Sequence, residues 1–150
     1  MKNSIIIALC LLLTSCFKDY EDKLIFKDFM VEFQDAVVVS NAVGKTYPII
    51  TARPGEHKLQ VNLLGGLSES AQTIRATVVA SETTAVQGQH YELSQDGQIQ
   101  FPANTAISSL NYAIPSLAPQ TDVVLVIELQ ANDQVKTSGN YKTVGIRIQN

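Results

Sequence analysis

The sequence contains no tryptophan and only two cysteines, Cys10 and Cys16, both within its first sixteen residues. Everything after Cys16 is therefore without a thiol, which excludes a disulfide framework, a cysteine-ligated metal and a thiol nucleophile from the folded part. The longest apolar run, Ile5 to Leu13 (IIIALCLLL), is nine residues. A helix needs roughly 20 such residues to cross a bilayer core, so no spanning anchor is legible. Gly65-Gly66 is followed by Leu67-Ser68-Glu69, without the Lys-Ser/Thr of a phosphate loop, and no Gly-x-Ser-x-Gly nucleophile elbow occurs. Nor is there a basic patch to hold nucleic acid, so no nucleic-acid partner is expected.

What the amino terminus does hold is a processing signal. Lys2 gives a positive start, the nine apolar residues fit a secretory h-region, and Leu13-Thr14-Ser15-Cys16 resembles a bacterial lipobox. Small side chains admit a peptidase to the bond before Cys16, and the thiol accepts diacylglycerol. Residues 1–15 are thus expected to be a cleaved lipoprotein signal peptide, with Cys16 the lipidation site. An ordinary signal peptide that happens to contain a cysteine is the blander alternative. Cleavage removes one of eleven basic side chains, Lys2, leaving ten against fourteen acidic ones, a net charge of −4.

Behind Cys16 stands Phe17-Lys18-Asp19-Tyr20-Glu21-Asp22. Lys18, Asp19, Glu21 and Asp22 resemble the lysine-then-acidic export signal that sends lipoproteins of the phylum Bacteroidota to the cell surface. A solvated charged stem is the alternative, and either way residues 16–28 serve as acylated cysteine and tether. The expected address is the outer membrane, lipid-anchored and facing the surroundings.

From Phe29 the pattern changes to two-residue alternation broken by turn residues, with no helical period. Strands are predicted over Met30–Gln34, Tyr47–Ala52, Lys58–Leu64, Gln72–Ala80, Gly97–Phe101, Ala106–Ile114, Asp122–Gln130 and Lys142–Gln149. Pro48 confines the second to an edge or bulge, and Arg53-Pro54-Gly55-Glu56 reads as a turn. The third strand is the plainest: Leu59, Val61 and Leu63 face one way, Lys58, Gln60 and Asn62 the other. Seven or eight short strands at even spacing predict, for residues 29–150, an all-β fold, an antiparallel Ig-like β-sandwich with Greek-key connections.

The middle of this region carries a family likeness. Ala85-Val86-Gln87-Gly88-Gln89-His90-Tyr91-Glu92-Leu93, followed by Gly97 to Asn104 (GQIQFPAN), resembles the central signature of Calx-β-type sandwich domains. It is similar also to domains of unknown function in Bacteroidota surface lipoproteins. The resemblance implies an Ig-like fold and raises calcium as an activity. Yet His90 stands where the family has an acid before the tyrosine, and Ser116 to Asp122 holds a single carboxylate. Calcium wants six to eight oxygens, mostly anionic, so neither calcium nor any other metal or cofactor is expected.

The remaining chemistry is thin. His90 reads as a packing residue at a sandwich corner and His57 as a surface side chain. Among Glu82, Glu92 and Asp96 a carboxylate pair for glycoside hydrolysis can be imagined, and solvated loops account for them better. Of the tyrosines, Tyr112 alternates with Leu110 and Ile114 and belongs in the core, whereas Tyr141 is placed for exposure and is the candidate for sugar binding ahead of Tyr47 and Tyr91. The expected function is non-enzymatic: an accessory or binding subunit docking on another outer-membrane protein, with an exposed sheet edge as one docking mode. The alternative is a glycan-binding surface lipoprotein of a nutrient-uptake system.

Overall fold

The computed structural model describes residues 28–150. Cys16, Lys18, Asp19, Glu21 and Asp22, and the expected signal peptide, lie outside these residues. Among the described residues no helix is long and apolar enough to cross a membrane.

The chain forms two five-stranded sheets packed face to face. Its elements are β1 (Met30–Phe33), α1 (Gln34–Val38), β2 (Ile49–Ala52), β3 (Gly55–Leu64), β4 (Gln72–Val78), β5 (Glu92–Leu93), β6 (Gln98–Phe101), β7 (Ile107–Ile114), β8 (Asp122–Gln130), β9 (Lys136–Thr137) and β10 (Thr143–Gln149). One sheet runs β5-β7-β3-β1-β9 and the other β2-β10-β8-β4-β6. The all-β sandwich is as the alternation predicts. Each side chain that alternation turns inward is buried: Leu59, Val61 and Leu63 from β3, Leu110, Tyr112 and Ile114 from β7, Leu125, Ile127 and Leu129 from β8, Val144, Ile146 and Ile148 from β10. Burying an aliphatic side chain of this size contributes about 1.5–3 kcal/mol, and the core needs no staple.

Three features depart from the sequence reading. Ten strands form among the described residues rather than seven or eight, because β5 and β9 are two residues each and too short to display alternation. The sandwich is not wholly antiparallel: β9 lies parallel to β1, and β2 parallel to β10. The first strand stops at Phe33, and Gln34 begins a single helical turn closed by the Val39 amide on the Asp35 carbonyl at 2.9 Å. Ala36 is the one helical side chain this turn buries. A period cannot show in five residues, since helical periodicity needs a window of 11–18. The turn carries the chain off the first sheet so that β2 can join the second.

Among the described residues, two buried hydrophobic side chains lie outside the main core. Val126 and Tyr47 are 0% and 4% exposed, yet Val126 faces away from the sandwich interior. Its register partner is Gly145. A Cβ added at Gly145 would meet Ile49 Cγ1 at 2.8 Å and the Tyr47 ring at 3.2 Å. The segment leading into β2 is therefore laid across the outer face of the second sheet, and only a glycine lets it lie so close.

Candidate functional site

That covered face carries a partly enclosed cleft, a volume of about 290 Å³ lined by Tyr47, Glu82, Glu128, Asn140, Lys142 and Thr143, among others. Its floor is the pairing of β8 with β10, where Thr143 sits opposite Glu128. Glu128 accepts from Lys142 Nζ at 3.0 Å and from Thr143 Oγ1 at 3.2 Å.

The opposite wall is built by two loops. Beyond Val78 the chain stays beside β8: the Val79 amide donates to the Val126 carbonyl at 2.9 Å, and Thr83 Oγ1 accepts from the Val126 amide at 2.9 Å. Thr84 does the same for Val124 at 2.9 Å. Two threonine hydroxyls thus stand in for ladder partners where Ala80 to Glu82 bulge away, and β4 ends two residues earlier than alternation suggests. The bulge presents Glu82 to Tyr47 and Lys45. Tyr47 donates its hydroxyl to Glu82 Oε2, and Lys45 Nζ reaches the same oxygen at 2.6 Å. Hydrogen bonding from Lys45, then from Tyr47, holds the Glu82 carboxyl below the ordinary glutamate range. The same contact raises Lys45, while burial first and Glu82 second push up the Tyr47 phenol.

The cleft therefore sets two carboxylates, the Lys142 ammonium, an amide and hydroxyls around a small polar space. Each carboxylate is charge-matched by its own lysine. Such a set can hydrogen-bond a neutral polar ligand.

Of the residues singled out by sequence, Tyr47 and Glu82 line the cleft and the others fall elsewhere. Tyr141 is 39% exposed as expected, but the cleft is lined by its neighbours Asn140 and Lys142 rather than by Tyr141 itself. Glu82, Glu92 and Asp96 do not converge: Glu82 is clipped to Lys45 on the second sheet, Glu92 belongs to β5 of the first, and Asp96 sits in the turn before β6. Asp122, the lone acid at the calcium end of the resemblance, forms a two-pronged pair with Arg147, its Oδ1 accepting from Nε at 2.7 Å. The guanidinium holds that carboxyl below its usual range. His90 accepts from the Val86 amide through Nδ1 at 2.9 Å, pinning the corner before Tyr91. His57 is not the free surface residue expected. It shares the inward parity of Leu59 and stacks on Tyr112 with ring centroids 5.1 Å apart, while Nε2 lies 2.7 Å from the Arg53 carbonyl.

Sequence reasoning missed Tyr47, Glu82 and Glu128 as one constellation. The available signal was Val124 and Val126, two apolar residues on the outward face of β8, which require a cover.

No protein-family model and no curated protein matches the chain. Solved structures do resemble it. CBD12 from CALX1.2 superposes with a TM-score of 0.55 at 16% identity, over 79% of this chain and 44% of that one. The N-terminal domain of PorA gives 0.42 at 12% identity over 81% of this chain and 96% of its own. EndoBT-3987 of Bacteroides thetaiotamicron, crystallised with a Man5GlcNAc product, gives 0.42 at 10% identity over 79% and 30%. This chain spans less than half the length of the CBD12 structure, and that likeness shows the fold alone: a Calx-β-like, Ig-like sandwich.

Proposed function

We propose that this chain is a non-enzymatic lipoprotein, acylated at Cys16 and held at the outer membrane of a Bacteroidota cell, facing the surroundings. Its sandwich is an accessory or binding subunit that docks on another outer-membrane protein. The observation that carries anchorage is the sequence Leu13-Thr14-Ser15-Cys16 directly behind a nine-residue apolar run, with Cys16 the one thiol left after cleavage.

Docking by faces and loops suits this domain better than docking by an edge. The first sheet ends in two-residue strands, β5 and β9. On the second sheet, β2 is bracketed by Pro48 and Pro54, and the β6 carbonyl at Gln100 is taken by Ser108 Oγ at 2.7 Å. Short, proline-flanked and occupied edges resist strand addition. A non-enzymatic role is supported by carboxylates that stand apart or are matched by a lysine.

Fractionation and affinity capture test this reading. Acylated protein should partition with outer membranes and retain a stable membrane partner through detergent extraction, and Cys16→Ala should move it to the soluble fraction. A Cys16→Ala chain that stays membrane-bound overturns anchorage. An acylated chain recovered alone, from extracts in which other complexes survive, overturns the docking role.

One observation favours a second reading, glycan binding. Tyr141 is exposed, and both its neighbours line a cleft of monosaccharide size that is rich in hydrogen-bonding groups. Retardation in affinity electrophoresis that Tyr141→Ala or Asn140→Ala abolishes would support it, and unaltered mobility across neutral polysaccharides would end it.

A further inference from the structure

Between Asp35 and Lys45 the chain reads Ala36-Val37-Val38-Val39-Ser40-Asn41-Ala42-Val43-Gly44, nine residues without a charge. Four of its valines face solvent. Val37, Val38 and Val39 are 44%, 64% and 37% exposed, and Val43 is fully exposed at the tip of a turn. Exposed apolar residues scattered singly are ordinary, as Leu67, Val86 and Ile107 are here; a run of them marks an interaction site.

The strip is mounted on a firm base. Below the tip, the Ala42 amide donates to the Tyr47 carbonyl at 3.0 Å and the Lys45 amide to the Ala42 carbonyl at 2.9 Å. Lys45 and Tyr47 are then tied to Glu82. Behind it, Ala36 is buried in the core. The valines are held outward by the fold and are not a frayed end.

We propose that this valine strip seats the domain on the lipid bilayer to which Cys16 ties it, with Val43 entering the headgroup region. The proposal rests on acylation of Cys16. Eleven residues separate that cysteine from Asp28, and even fully extended they reach only about 40 Å. The membrane is thus always within reach at high effective concentration. The composition favours lipid over a protein partner. Protein interfaces take their energy from Trp, Tyr and Arg, with Val and Ser under-represented; this strip offers only valine, alanine, serine, asparagine and glycine. It also holds no carboxylate to be repelled by anionic headgroups.

The absence of tryptophan makes a direct test available. Val43→Trp places a single reporter at the tip, Val38→Trp a second on the helix, and Gln98→Trp a control on the exposed side of β6. Each acylated mature protein is reconstituted into phosphatidylethanolamine–phosphatidylglycerol vesicles bearing brominated acyl chains, and flotation is measured alongside emission. The proposal expects emission at positions 43 and 38 to move to shorter wavelength, to be quenched by the bromines and to lose its quenching by aqueous iodide, with position 98 unchanged. If the protein floats while positions 43 and 38 behave like position 98, anchorage stands and the seat is refuted. If the protein does not float, the anchor itself fails and the seat with it. Shielding that appears without vesicles, as protein concentration rises or when outer-membrane proteins are added, overturns the proposal in favour of a second copy or a protein partner.

Discussion

At the scale of single residues, burial and close approach give the firmest expectations. Tyr112 is 2% exposed beneath the His57 ring, and burial pushes its phenol up to about 12. A raised value means that the neutral phenol stabilises the fold fully below the ordinary tyrosine range. That contribution, on the order of 2–3 kcal/mol, is lost as pH rises toward 12. Spectrophotometric titration should therefore show Tyr112 ionising last, together with unfolding; a phenol at this position that titrates near 10 in the folded protein would refute the burial account. Gly145 supplies a second test. Any side chain there must displace Ile49 and Tyr47, so Gly145→Val should destabilise by about 1–3 kcal/mol. Gly139→Ala, with open space around the added carbon, should leave the urea midpoint nearly unchanged.

At the scale of elements, the clip of Lys45, Tyr47 and Glu82 decides whether the β1–β2 connection stays on the outer face. Glu82 is depressed and Lys45 raised. The carboxylate's contribution is present above the ordinary glutamate range and is lost as pH falls through its depressed value. The ammonium's is present below the ordinary lysine range and lost as pH rises through its raised one. Acidification should thus loosen Ala42 to Tyr47 before the sandwich unfolds, seen as amide shift changes at Ala42 and Lys45. Glu82→Gln should lack that acid transition while keeping the native core spectrum; if its loop titrates like the parent, Glu82 is not the clip. This element also shows where sequence legibility ends. The strands could be read because each is long enough for alternation to separate two faces, as Leu59, Val61 and Leu63 do in β3. The clip could not, because Lys45 and Glu82 are 37 positions apart and neither belongs to a periodic pattern. Tyr47 is a sugar-binding candidate by residue type alone, and the close approach that Gly145 allows, nearly a hundred positions on, is what buries it.

At the scale of the whole molecule, the first strands of the described chain pair with its last. β1 pairs with β3 and β9, and β2 joins the second sheet only through β10. β10 in turn lies between β2 and β8, with Val144, Ile146 and Ile148 each 0% exposed in the core. Such non-local pairing is invisible in local alternation, which marks out the eight longer strands and nothing of their order. It makes the carboxyl-terminal seven-residue strand indispensable. A chain ending at Lys142 would strip β2 of its partner, uncover Val126 and Leu125 on β8, and remove three fully buried aliphatic side chains worth about 1.5–3 kcal/mol apiece. That loss is comparable with the whole stability of a domain, commonly 5–15 kcal/mol. Truncation after Lys142 should therefore abolish the cooperative thermal transition seen by circular dichroism, and adding residues 143–150 in trans should restore it only at peptide concentrations high enough to offset the lost tether. Trimming Gln149 and Asn150, one half-buried and one exposed beyond Ile148, should leave a cooperative melt close to that of the full chain. A cooperative melt surviving the longer truncation would mean that the second sheet closes on β8, β4 and β6 alone.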